Sequence, residues 1–239
     1  MRHALVTFLG RGQRDPQAGY REATYRFPDG AVHKTNFFGL ALAQYLEADG
    51  VPPDKARCLE QAAFYERTFN LGAAAQKLQT FRMVLASPLS GASGLFQDRL
   101  AERLRWIEGR DLAAWQHALA EQYLGRADFV RAVVFAWEAL VSRECKGYEL
   151  NRYKTREAAE KDLDRAFREA DCEAAQAYRT LKYLRNALAH GTPPQDERCR
   201  KLLQSPERLG AALRQAIDCL LTTGAQACRA RRSGKSPLS

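Results

Sequence analysis

The feature that most constrains the fold is the point along the chain at which strand-like patterns give way to helical ones. Strand-like runs occupy residues 4–9, 20–27 and 31–35, with a tight turn at 28–30. From Asp54 onward, apolar residues recur at three- and four-residue spacing, which predicts amphipathic helices. Each parallel crossover unit needs roughly 30 residues, so the opening segment has no room for a full parallel sheet. The sequence therefore predicts a mainly α protein that begins with a small β-hairpin segment.

The predicted helices follow one another with short breaks between them. Asp128 is a natural N-cap for the apolar segment behind it, within which Trp137 is expected to be a core residue. Gly191, followed by Pro193 and Pro194, is a strong helix stop. The helices are predicted at residues 37–48, 55–69, 73–85, 95–107, 112–124, 129–145, 157–169, 173–190 and 206–221.

Composition argues against several classes of protein. With 46% hydrophobic and 27% charged residues the chain has a globular composition. Its longest apolar run, 129–141, contains Arg131 and Glu138, so no run approaches the roughly 18 residues that a membrane span needs. The apolar run at the N-terminus is too short for a signal peptide. The six cysteines have no C-x-x-C spacing, which gives little support for zinc and suggests packing thiols in a reducing compartment. We therefore expect a cytoplasmic protein with no membrane partner.

The charge balance is compatible with a nucleic-acid partner. Lys and Arg number 37 against 28 Asp and Glu, a net charge of +9. Four of these positive charges lie in the tail, at Arg229, Arg231, Arg232 and Lys235. A basic surface attracts phosphate backbones, but it also serves solubility, and charge alone does not decide between the two.

The residues with the strongest chemical potential lie at the end of the predicted helix 173–190. Asn186 and His190 are four residues apart and share one helix face, and Arg185 precedes them. Histidine suits proton transfer near neutral pH, and the planar guanidinium of arginine suits a phosphate. Together they are the minimum for RNA cleavage without a metal ion. One helix supplies one histidine, so this chemistry predicts a symmetric dimer.

A simpler interpretation of the same residues is structural. Cations near a helix C-terminus interact favourably with the helix dipole, so Arg185 and His190 could merely stabilise a helix end. An R-x-x-x-x-H match is common by chance, and spacing alone favours this simpler interpretation.

Two segments together resemble a known family. The hexapeptide R-N-A-L-A-H at 185–190 resembles the R-N-x-x-x-H motif of HEPN ribonuclease domains, and it follows a helix-like segment, 132–140, that fits their pattern. The opening, with L-V-T-F-L-G at 5–10, resembles the start of CARF domains, which sense cyclic oligoadenylate in type III CRISPR systems. The order of the two matches the CRISPR-associated CARF–HEPN ribonucleases. The resemblance implies a helical HEPN-like bundle preceded by a small, hairpin-containing remnant of a Rossmann-like CARF domain.

The resemblance also implies an activity and its residues. It implies a homodimeric endoribonuclease that cleaves single-stranded RNA without a cofactor, with Arg185 and His190 as the catalytic pair and Asn186 in support. Cyclic oligoadenylate is the implied activator. Its expected contacts lie in the loop after the first strand, at Thr7, Leu9, Gly10, Arg11 and Gly12. A simpler interpretation, in which Gly10 and Gly12 only form a turn, explains the same residues at least as well.

Other expectations concern the surroundings of this site. Arg179, Lys182 and Tyr183 are candidates for an RNA groove, although a solvated helix face explains them equally well. Two further functions remain open: a HEPN module that binds RNA or dimerises without catalysis, and a helical subunit of a CRISPR effector complex. The expected domains are a truncated CARF-like segment, a helical linker, a HEPN-like domain and a basic tail, at 1–53, 54–94, 95–226 and 227–239.

Overall fold

The structure is a computed structural model, and it describes residues 23–26, 32–35, 38–145, 153–168, 170–194 and 196–222. The described residues are mainly α-helical, as the sequence predicts. Several predicted features lie outside them: the strand at 4–9, the tail at 227–239, and the loop residues Thr7, Leu9, Gly10, Arg11 and Gly12.

The chain divides into two compact units between Ile107 and Glu108. The sequence predicts a domain boundary earlier, at 94/95. The helix that follows this predicted boundary belongs to the first unit, where Arg103 forms an ion pair with the buried Glu66 at 2.5 Å. Compact units are defined by packing, whereas the predicted domains are defined by resemblance to a family. The predicted domain boundaries therefore stay predictions.

The first unit is built mainly from helices. Its two strands pair antiparallel, with Ala23 opposite Thr35. Helix formation is locally encoded, since a proline occupies the first turn of the second helix and the Asn70 side chain accepts from the Ala73 amide at 3.3 Å at the start of the third. The elements are β1 (Ala23–Arg26), β2 (Val32–Thr35), α1 (Phe38–Ala48), α2 (Pro53–Arg67), α3 (Leu71–Arg82) and α4 (Gln97–Leu104), with 3₁₀ turns at Val84–Ala86 and Ser93–Phe96. A further 3₁₀ turn, Arg105–Glu108, spans the division between the units.

The second unit has one central helix with the others arranged around it. The central helix, α6, contacts α5, α7, α8 and α10. Its apolar sequence buries residues on most of its circumference, which explains why it lies in the middle. The elements are α5 (Leu112–Leu124), α6 (Phe129–Glu144), α7 (Tyr153–Phe167), α8 (Glu173–His190), α9 (Glu197–Leu202) and α10 (Pro206–Ile217), with a π-helical segment at Asp218–Thr222.

Side-chain caps define the ends of these helices. Asp128 accepts from the Arg131 amide at 3.2 Å, which confirms the predicted N-cap of α6. Asp196 caps α9 through the Cys199 amide at 2.8 Å. The sequence predicts no helix there, because α9 is only six residues long and buries a single residue, Cys199.

An aromatic cluster joins α6, α7 and α8. Trp137 is only 2% exposed, which confirms its predicted place in the core. The ring of Tyr178 lies 5.6 Å from that of Trp137 and 4.9 Å from that of Phe167, measured between centroids. Such aromatic pairs add to the free energy of burial, so they fix how α8 lies on its neighbours.

Among the described residues, no helix has the length and apolarity to cross a membrane. The expectation of free, packed thiols holds for Cys58, Cys145 and Cys199, which are buried and unpaired. Cys219 is half-buried and forms no disulfide. Cys172 departs from the expectation, because it is disulfide-bonded.

Candidate active site at the end of helix α8

The rotation of α8 is set by its apolar stripe. Tyr178, Leu181 and Leu184 are all buried, as their helical spacing predicts, and Leu188 is half-buried. Burial of this stripe leaves the neighbouring residues at the helix edge. Arg185 and Asn186 are therefore half-buried at this edge of the bundle.

The end of α8 places His190 at the protein surface. His190 is the last helical residue and is exposed. Gly191 follows in the left-handed conformation, with φ 65° and ψ 19°, and so stops the helix where the sequence predicts. An imidazole at this position can reach a ligand in solvent and exchange a proton with it.

Arg185 is held more firmly than His190. Its Nη1 donates to Oδ1 of Asn186 at 3.0 Å, and its guanidinium carbon lies 5.8 Å from the centre of the Trp137 ring. A guanidinium over an indole face gains cation–π attraction. The guanidinium carries five N–H donors, so the hydrogen bond to Asn186 leaves other donors that could bind an anion. Asn186 thus restrains the arginine, and its part in catalysis stays a prediction.

A network of polar and charged residues joins α6 to α7 and includes Trp137. Arg156 of α7 pairs with Glu138 of α6 and donates to Ser142 Oγ at 3.2 Å. The indole N–H of Trp137 donates to Glu160 at 3.4 Å. Burial raises the pKa of the Glu138 carboxyl, and Glu160 adds to the rise, whereas the positive charges of Arg156 and Arg185 oppose it. The Glu138 carboxyl therefore interacts electrostatically with the guanidinium groups of both Arg156 and Arg185.

Two of the three predicted RNA-groove residues have partners within the protein. Arg179 donates to the carbonyl oxygens of Phe167 and Ala170, at 3.2 and 3.3 Å, and so caps the end of α7. Lys182 donates to Asp164 at 2.5 Å. These contacts give both residues a structural role, and RNA binding by them stays a prediction.

Tyr183 is the third of these residues. It is 42% exposed. It lies three residues before Asn186 and seven before His190, which places it along the same helix face. Its ring is accessible to a base, and its role in RNA binding also stays a prediction.

The sequence did not predict how Trp137 and Glu138 take part in the site. The only available signal was an acidic residue inside the apolar run 129–141. Such a residue is expected to have a charged partner when it is buried, but the sequence does not say which one.

The described residues contain no cluster of three or more His, Cys, Asp or Glu side chains arranged to hold a metal ion. In comparisons with known proteins, no family model, no curated protein and no solved structure matches this chain.

Proposed function

We propose that this protein is a metal-independent endoribonuclease that cleaves single-stranded RNA. His190 would act as the acid/base group and Arg185 would stabilise negative charge on the phosphate, with Asn186 holding the arginine. The observation that carries the proposal is the combination at the end of α8 of an exposed imidazole with a guanidinium held against Trp137. A fixed cation and an accessible proton carrier are what transesterification of RNA requires.

The reaction proceeds by attack of the RNA on its own backbone. A base removes the proton of a 2′-hydroxyl, and the freed oxygen forms a bond to the adjacent phosphorus. The bond from phosphorus to the 5′ oxygen then breaks as that oxygen takes up a proton. The products carry a 2′,3′-cyclic phosphate and a 5′-hydroxyl.

The two proton transfers favour a composite site. One group must remove a proton while another delivers one, and α8 contains a single histidine. A second copy related by a twofold axis would supply the other imidazole and a second guanidinium. We therefore propose that the active species is a homodimer in which two copies of α8 meet at His190.

The wider setting of the proposal rests on the sequence resemblance alone. The HEPN-like fold, a remnant of a CARF domain in the first unit, and a part in type III CRISPR defence with cyclic oligoadenylate as activator are proposals of this kind. The helical second unit is compatible with the first of them.

The test uses purified full-length protein with fluorescent single-stranded RNA in EDTA, with and without cyclic tetra- or hexa-adenylate. We expect His190→Ala and Arg185→Ala each to lower cleavage by at least about 100-fold. His117→Ala is the matched control, because His117 is the other histidine between residues 108 and 239 and pairs with Glu121 on α5.

Each outcome leads to a different conclusion. Cleavage that survives in both the His190 and Arg185 variants would overturn the site. Binding without cleavage by the native protein would favour a non-catalytic module. Stable co-purification with a CRISPR RNA would favour an effector subunit.

A further inference from the structure

The guanidinium of Arg185 lies in a cluster drawn from three helices. Trp137 and Glu138 come from α6, Arg156 from α7, and Arg185 from α8. The positive charges of Arg156 and Arg185 both act on the Glu138 carboxylate. Arg156 is the direct partner of Glu138, with side chains that are 20% and 26% exposed, respectively.

The Glu138 carboxylate attracts both guanidinium groups only while it is charged, and only Arg156 forms a direct ion pair with it among the described residues. Like charges in a partly desolvated setting repel one another, and the negative charge of Glu138 offsets that repulsion. The indole face of Trp137 gives Arg185 a flat surface on which its guanidinium plane can rest. Asn186 adds a hydrogen bond. Arg185 is thus restrained by a ring face and a hydrogen bond, and it is attracted by the Glu138 carboxylate.

We propose that Trp137 and Glu138 are positioning residues that hold the Arg185 guanidinium in place for the scissile phosphate. This inference rests on the proposed function and extends the site from α8 to α6. Glu138 acts through charge, by attracting the Arg185 guanidinium. Trp137 acts through its ring face, by limiting the rotation of Arg185.

A positioning role affects turnover more than substrate binding. The Arg185 charge would stabilise the transition state, in which negative charge develops on the phosphate oxygens. When the guanidinium moves away from its place, that stabilisation falls, whereas ground-state attraction of RNA to a basic surface persists. The expected signature is therefore a lower kcat with little change in KM.

The first test compares Glu138→Gln with a matched carboxylate. We expect Glu138→Gln to lower kcat about tenfold or more while KM changes less than about twofold. Glu157→Gln is the control, because Glu157 lies on α7 and pairs with Lys161 at an exposed site, so the same chemical change there should leave kcat unchanged. Equal kcat in Glu138→Gln and the native protein would overturn the proposal.

The second test measures Arg185 directly and needs no activity. In low-temperature ¹⁵N spectra, the Arg185 Nη1–H group that donates to Asn186, assigned by its loss in Arg185→Lys, should exchange slowly with water in the native protein. We expect faster exchange in Glu138→Gln. Rapid exchange in the native protein would overturn the proposal, as would equal exchange in both proteins.

Aromatic variants keep the proposal testable if Glu138→Gln does not fold. Trp137→Phe retains a ring face and should keep most of kcat, whereas Trp137→Leu should lose most of kcat. The melting temperatures of both variants are compared in parallel, so that a loss of kcat can be separated from a loss of stability. Equal kcat in the two variants would overturn the role of the ring. Native protein that never cleaves RNA but protects Arg185 through Glu138 would refute the proposed function and retain the positioning role.

Discussion

Arg185 and His190 are five positions apart on one helix, but the fold holds them differently. Arg185 is fixed by the Asn186 amide and the Trp137 ring, whereas His190 is exposed in the last helical position. A preorganised cation costs little reorganisation during reaction, and an exposed imidazole can adjust to the group it protonates. In the proposed mechanism, Arg185 would supply a fixed positive charge and His190 an exposed proton carrier.

Asp164 provides a residue-scale prediction on stability and pH. Burial alone would raise the pKa of this carboxyl, but hydrogen bonds from Lys182 and Tyr178 outweigh burial, and the pKa of Asp164 lies below its ordinary value. Because the folded-state pKa is depressed, the stabilisation is present above the unfolded value of about 3.9 and is lost as the pH falls through the folded value. We expect Asp164→Asn to lower the free energy of unfolding at pH 7, with the difference shrinking towards pH 3.

Urea unfolding at several pH values measures this effect. Asp162→Asn is the control, since Asp162 pairs with Arg165 at an exposed site on the same helix and such pairs contribute little. A difference between Asp164→Asn and the native protein that stays constant from pH 7 to pH 3 would contradict the assignment.

At the scale of elements, local signals were enough for helices but not for the contacts between them. Helix α8 has the predicted bounds because its apolar stripe and the glycine–proline stop agree. Helix α7 begins at Tyr153, ahead of the predicted start at 157. The pairing of Arg156 with Glu138 depends on how α7 lies against α6, which no local pattern encodes.

Gly191 gives a prediction about the end of α8. Its φ of 65° is strained for a β-branched residue, while a Cβ added there meets nothing within 4 Å. The cost of substitution is therefore one of backbone conformation and not of steric clash. We expect Gly191→Val to lower the free energy of unfolding by about 1–2 kcal/mol and Gly191→Asn by less, because asparagine tolerates the left-handed region.

Thermal or urea unfolding of the two variants checks this, with RNA cleavage measured alongside. Because His190 immediately precedes the glycine, Gly191→Val should also reduce cleavage more than Gly191→Asn does. Equal stability of the valine and asparagine variants would show that the left-handed stop contributes nothing specific.

At the scale of the whole molecule, the proposed chemistry extends beyond one chain. The sequence resemblance implies which residues would take part in catalysis, and the structure describes where they lie in one copy. A site built from two chains responds to mixing with inactive chains, whereas a site contained in one chain does not. An inactive chain paired with an active one would disable both halves of the shared site, since each copy contributes its α8 to it.

Mixing experiments separate the two cases. Native protein is combined with an equal amount of the Arg185→Ala/His190→Ala double variant, and exchange of chains is verified by native mass spectrometry with one chain isotopically heavy. For a composite site, random pairing leaves about half of the native chains in fully native dimers, so activity per native chain should fall to about half, and further with excess variant. Mixing with His117→Ala should leave the activity per chain unchanged. Constant activity per native chain, despite proven exchange, would mean that each copy cleaves RNA by itself and that the second proton-transfer group lies within the same chain.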